Sequence, residues 1–214
     1  MTTAQSIQSP SDSSDDQRKN PVVLVHGIWN TAQIFNPLKS YLESAGWSVH
    51  TFSMTPCNGD APIEVLAQQV AQFVDDSFSV HQTFDLVGFS MGGLISRYYL
   101  QRLGGLQRVE KFVAVCAPHY GTLLAMGSQR LGVRQMRPLS PFITELNRDA
   151  HRLNKIQVSS LWTLFDWLIL PPWSSRLAFG HTARLTVAGH NLMLKDPTGL
   201  NAIARALSQT NRAG

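Results

Sequence analysis

The pentapeptide Gly88-Phe89-Ser90-Met91-Gly92 sets a hydroxyl between two glycines, a pattern suited to a nucleophile held on a tight turn. It follows the strand-like run Phe84 to Val87 and leads into a helical pattern through about Leu103, ended by Gly104-Gly105. Glycines without Cβ atoms let such a turn close and hold Ser90 strained, with its Oγ presented outward. A phosphate-binding turn is the competing reading, but the chain lacks here both the Lys-Ser/Thr of a P-loop and the GxGxxG spacing.

A serine hydroxyl is a weak nucleophile until a base takes its proton, so a histidine must meet it in space. Of the seven histidines, His50 alternates within a strand, and His81 and His151 lie in polar surroundings. Only His181 and His190 come late enough for the order Ser, acid, His. His190 follows the run Leu185 to Gly189 and falls at a strand's carboxyl end, whereas His181 precedes that strand, so His190 is the expected base. Asp166, between Phe165 and Trp167 at the end of another strand, is the expected acid, because a carboxylate buried there needs a partner. Asp196 is the alternative acid, and Glu145 and Asp149 read as solvated on a helix. Backbone N–H donors for an oxyanion are expected from Met91, after the nucleophile, and from Ile28, in the loop after His26-Gly27.

The elements that must position these residues alternate as strand and helix, the signature of a doubly wound α/β fold. Val22 to Val25 is a continuous apolar run, as in a parallel strand covered on both faces. Thr31 is placed to cap a helix whose Ile34, Leu38, Tyr41, Leu42 and Ala45 share a face, with Gly46 at its left-handed end. Val49 to Ser53 reads as a second strand, and Pro62 opens a helix bearing Val65, Leu66, Val70, Phe73 and Val74. Strands are further expected at Phe84 to Val87, Phe112 to Ala117, Val158 to Phe165 and Arg184 to Ala188, before a last helix with Leu200, Ile203, Ala204 and Leu207. In a mostly parallel sheet of about six strands with helices on both faces, ligands bind beyond the strands' carboxyl ends. His26, Ser90, His119, Asp166 and His190 all fall just after an expected strand.

With 214 residues, 43% hydrophobic and 15% charged, the chain can bury one core and is unlike a disordered polymer or a coiled coil. Two cysteines make no disulfide scaffold, and both Cys57 and Cys116 read as structural. Residues 1–20 lack a basic start and an apolar core, so they read as a flexible tail rather than a secretory signal, ahead of one domain over 21–210. The apolar patch Leu161 to Trp173 is broken by Asp166 and Pro171 and is too short to span a membrane, so a soluble, cytoplasmic protein is expected. Residues 112–214 carry 11 basic against 4 acidic side chains, a solvated face or one that meets an anionic lipid surface. No Lys/Arg cluster with interleaved aromatics suggests nucleic acid, and no cluster has metal-ligand spacing. Oligomeric state is not legible.

Taken together, these residues resemble the α/β-hydrolase superfamily, and within it the small bacterial lipases and esterases. Val23-Leu24-Val25-His26-Gly27-Ile28-Trp29 resembles their oxyanion-loop segment and Gly88 to Gly92 their elbow. Ala117-Pro118-His119-Tyr120-Gly121-Thr122 resembles their PHxGT-type segment, Asp166 to Pro171 their acid motif, and Val187 to His190 their histidine segment. The resemblance implies ester hydrolysis on acyl glycerolipids: Ser90 attacks, His190 carries the proton, Asp166 orients it, and the Ile28 and Met91 N–H groups hold the oxyanion. It implies no cofactor. Only residues 123–157 are available for a lid, so a short helical cover is expected; it carries Arg130, Arg134, Arg137, Arg148, Arg152 and Lys155. Trp29, His119, Trp167 and Leu168 are candidate pocket residues. Trp162, Trp167 and Trp173 serve either core packing or an acyl-chain rim. The same triad serves a thioesterase, an acyltransferase or a small-ester carboxylesterase, and a lipid-binding module without catalysis is the alternative of another class.

Overall fold

Strand β1 (Val22–Val25) has no polar side chain because helices cover both faces of the sheet, and all four of its residues are buried. β3 (Phe84–Phe89) is likewise buried throughout, Asp85 included. With β2 (Val49–Thr51), β4 (Val109–Val115), β5 (Gln157–Thr163) and β6 (His181–Leu185), they form one six-stranded sheet in the order β2-β1-β3-β4-β5-β6. Every pairing is parallel. The computed structural model describes residues 19–209.

Five longer helices and one short one connect and cover the sheet: α1 (Asn36–Ser44), α2 (Ile63–Ser77), α3 (Met91–Arg102), α4 (Leu131–Gln135), α5 (Pro141–Arg148) and α6 (Pro197–Ser208). One core packs α2 and α3 against one face through Leu66, Val70 and Leu94; the other packs α1 and α6 against the opposite face through Leu38, Leu42 and Ile203. The strand order reverses between β1 and β3, which opens a crevice at their carboxyl ends.

Several strand boundaries differ from the sequence reading. β4 stops at Val115 and β5 at Thr163, although the apolar residues Cys116-Ala117 and Leu164-Phe165 continue each run. Apolar character marks an environment, and here it outlasts the ladder. β6 runs from His181 to Leu185, three residues earlier at each end than expected, so His190 lies in the loop beyond it; an edge strand leaves part of its surface in solvent and tolerates His181, Thr182 and Arg184. Thr31 makes no capping hydrogen bond; a 3₁₀ turn over Ala32–Phe35 comes first, and α1 starts with Pro37 in its first turn. Gly46 is left-handed, φ +87°, as its place after α1 requires.

Of the expected tail, residues 1–18 lie outside the described residues. Lys19 stands 3.9 Å over the Trp47 ring, and Asn20 donates to Glu110 and Asp85, so those two residues belong to the fold. No helix among the described residues is long and apolar enough to cross a membrane. The segment expected as a short cover consists of a 3₁₀ turn at Leu123–Gly127, α4, α5 and a further 3₁₀ turn at Ala150–Lys155.

Candidate active site

Ser90 occupies the first position past β3 with φ 56° and ψ −128°, a backbone conformation that L-residues avoid and that the adjoining elements enforce. Gly92 and Gly27 show why this turn needs glycine. A Cβ on Gly92 would lie 2.1 Å from the Val25 carbonyl oxygen, so the start of α3 can press onto the end of β1 only without one. A Cβ on Gly27 would lie 2.8 Å from Ser90 Cβ and 3.2 Å from its Oγ, which places the loop after β1 directly against the hydroxyl.

That loop is anchored from below. His26 is fully buried; its Nε2 accepts the Met54 N–H at 2.9 Å, which leaves the proton on Nδ1, 2.9 Å from the Gly27 carbonyl oxygen. Trp29, also at positive φ (55°), donates its N–H to the Cys57 carbonyl at 2.6 Å. Ile28 lies between Gly27, which abuts Ser90, and the anchored Trp29. Met91 opens α3, and its N–H belongs to the first helical turn, whose donors have no acceptor within the helix.

Asp166 and His190 come from the loops after β5 and β6. His190 Nδ1 lies 2.7 Å from Asp166 Oδ2, and Asp166 Oδ1 accepts the N–H groups of Leu168 and Ile169, each at 2.9 Å. Both residues are buried. Burial alone would raise the Asp166 carboxyl, but the hydrogen bonds and charge of His190 and the two backbone donors hold it below the usual carboxylate value. In the neutral imidazole the anion keeps the proton on Nδ1 and leaves Nε2 with a lone pair. Nε2 is buried and has no hydrogen-bond partner, and the imidazole packs on Phe89, the residue before Ser90, at 4.7 Å between ring centroids. An imidazole of this tautomer, packed on the residue before a strained serine, has the lone pair needed to accept a hydroxyl proton, and backbone N–H groups at the start of a helix are suited to stabilising charge on a carbonyl oxygen.

The other candidate residues divide. Trp29, Trp167 and Leu168 are 70%, 75% and 49% exposed, and Trp173 is 58% exposed, whereas Trp162 is packed in β5. His119, expected in the pocket, is instead wholly buried, with neither ring nitrogen hydrogen-bonded. Asp196 caps α6 by accepting the Thr198 N–H at 2.8 Å. Asp149 holds Arg102 and Gln101 and is not simply solvated. Two clefts flank the cover, one of about 620 Å³ beside α3 and α5 and one of about 550 Å³ under Tyr120 and Trp173; neither is lined by Ser90, Asp166 or His190.

Three contributors escaped the sequence reading. Arg97, on α3, is fully buried and binds the Asn147 side chain and the Leu146 carbonyl, each at 2.8 Å, which ties the cover to the elbow helix. Thr163 donates to the Val187 carbonyl at 2.6 Å and so links the end of β5 to the chain leading into His190. Cys116 Sγ, an Asp166 carboxylate oxygen and a His190 ring nitrogen lie within 4.8 Å of one another. Its signal was its rank: like Ser90 it is the first residue past its strand, but the apolar run hid where the strand ends.

The buried imidazoles give the fold a pH dependence. Desolvation pushes His26 down, and desolvation together with Arg97 pushes His119 well down, so both are neutral in the folded chain. The unfolded chain binds those protons below about pH 6.5, so folding stability is complete above that pH and declines as pH falls beneath it. Thermal melts at about pH 8 and about pH 5.5 are expected to show this fall, and His119→Leu should flatten it. Equal melting temperatures at the two pH values would contradict it.

The family model described as palmitoyl protein thioesterase matches residues 21–162, from just before β1 to Trp162 of β5, ahead of Asp166 and His190. Palmitoyl-protein thioesterase 3 of Dictyostelium discoideum is 31% identical over 106 residues, 47% of this chain; the match spans 36% of that relative's length. Among solved structures, lipase B of Aspergillus fumigatus aligns with a TM-score of 0.75 at 18% identity, covering 95% of this chain and 56% of that one. The mature lipase BlEst2 of Bacillus licheniformis aligns with a TM-score of 0.71 at 16% identity, covering 94% and 96%. At these identities the likeness carries the α/β-hydrolase fold.

Proposed function

Since the chain belongs to the palmitoyl protein thioesterase family, we propose that it hydrolyses the ester and thioester bonds of acyl chains through Ser90, His190 and Asp166. The 2.7 Å bond between His190 Nδ1 and Asp166 carries this reading, because it leaves Nε2 as the one basic ring nitrogen and Nε2 has no other partner. Ser90 Oγ attacks the acyl carbonyl as Nε2 takes its proton. The Ile28 and Met91 N–H groups receive the oxyanion. Collapse of the tetrahedral intermediate expels the thiol or alcohol, which leaves with the proton from Nε2. Water then repeats the sequence on the acyl-enzyme and releases the fatty acid.

Thioesters stand first as substrates because the family model that matches residues 21–162 is that of palmitoyl protein thioesterases. The exposed Trp29, Trp167 and Trp173 support a second reading, glycerolipid esters met at an anionic lipid surface. The test is a p-nitrophenyl ester series from acetate to palmitate, beside an S-palmitoyl cysteine peptide, a phospholipid, a galactolipid and a triacylglycerol, with Ser90→Ala as blank. Rates should rise with chain length, with the palmitoyl peptide cleaved faster than the glycerolipids. Glycerolipids cleaved faster would favour the second reading, hydrolysis of acetate alone would leave a small-ester carboxylesterase, and no hydrolysis would refute both.

A further inference from the structure

We infer that Cys116 is a positioning residue for the pair Asp166 and His190: its Sγ lies within 4.8 Å of an Asp166 carboxylate oxygen and of a His190 ring nitrogen, where its S–H can donate to the carboxylate. This rests on the roles proposed above for those two residues. Ser90, Cys116, Asp166 and His190 follow β3, β4, β5 and β6, which are neighbours in that order, so the thiol stands between the elbow and the acid.

The local backbone is built for it. Cys116 has φ 48°, in the left-handed region shared at strand ends by Ser90 and Trp29, and its own N–H donates to the Leu161 carbonyl at 2.9 Å. This turn points the side chain back toward the acid instead of along the sheet face. The thiol is fully buried among Val113, Val115, Leu161 and Val187, where sulfur sits at little desolvation cost. Burial and then the Asp166 charge raise the thiol well above its ordinary value, so it remains S–H, a standing donor and not a competing nucleophile. Asp166 then has donors from three directions: the turn at Leu168 and Ile169, the imidazole, and the end of β4. The first two come from its own loop and from its partner. Only the thiol references the carboxylate to the strand next to the nucleophile's.

Cys116→Ala and Cys116→Ser keep the same left-handed backbone cost and separate donor from bulk. Three readouts apply: steady-state kinetics on the p-nitrophenyl esters, thermal melting, and the downfield proton resonance of the His190 Nδ1–H. Cys116→Ala is expected to lower kcat about 5-fold at unchanged KM, the effect of one hydrogen bond, and to displace the resonance. Cys116→Ser, which restores a donor, should recover both. Parental kcat and resonance in Cys116→Ala would overturn the assignment, as would equal losses in both variants that follow a fall in melting temperature. The resonance needs no substrate. If the parent protein cleaves no ester, the proposed function fails, while the Cys116 assignment is still decided by whether the resonance moves with alanine and returns with serine.

Discussion

Ser90→Ala is expected to lower kcat for acyl-ester hydrolysis by ~10⁴ to 10⁶, His190→Ala to do the same, and the double variant to lose little more than either. The reason is that neither group has an independent task. Ser90 holds its hydroxyl on a strained turn against the Gly27 loop, and in the proposed reaction the hydroxyl becomes a nucleophile only as His190 Nε2 removes its proton. Once one partner is gone, the other has nothing to exchange. Removal of the serine oxygen leaves the strained backbone in place, so the melting temperature of Ser90→Ala should stay near that of the parent protein. Near-normal rates in His190→Ala, or losses that multiply in the double variant, would sink the assignment.

Asp166→Asn is expected to cost about 10⁴ in kcat, while Asp196→Asn leaves the rate within about 2-fold. Oδ1 of Asp166 accepts the Leu168 and Ile169 N–H groups, and only an oxygen can serve there, so an asparagine must turn its amide nitrogen toward His190. That nitrogen donates. The imidazole then has to present a lone pair at Nδ1 and carry its proton on Nε2, where it cannot receive the serine proton. Asp196, the alternative acid in the sequence, holds the first turn of α6 through Thr198, and asparagine caps a helix as well as aspartate. If Asp196→Asn were the more damaging change, the acid would have been misassigned.

The sequence by itself determined the alternation of elements and the strands after which Ser90, Asp166 and His190 fall. Val22 to Val25 and the elbow at Gly88 to Gly92 are local statements: apolar runs covered on both faces and a turn that admits no Cβ are written in adjacent residues. The family resemblance follows from the same segments, and the α/β-hydrolase fold agrees with it. What only the tertiary structure decided depends on residues far apart in the chain. Whether Asp166 or Asp196 faces His190 is a question of which loops the sheet order brings together, and spacing along the chain carries no such information. Cys116 read as one more apolar residue because hydrophobicity records burial and not direction; its positive φ, which turns the thiol toward Asp166, arises from the end of a ladder that the continuing apolar run concealed. Arg97 escaped the sequence for the complementary reason. A charged or titratable side chain is expected at the surface until a specific set of partners, here Asn147 and the Leu146 carbonyl for the guanidinium, is assembled around it by packing.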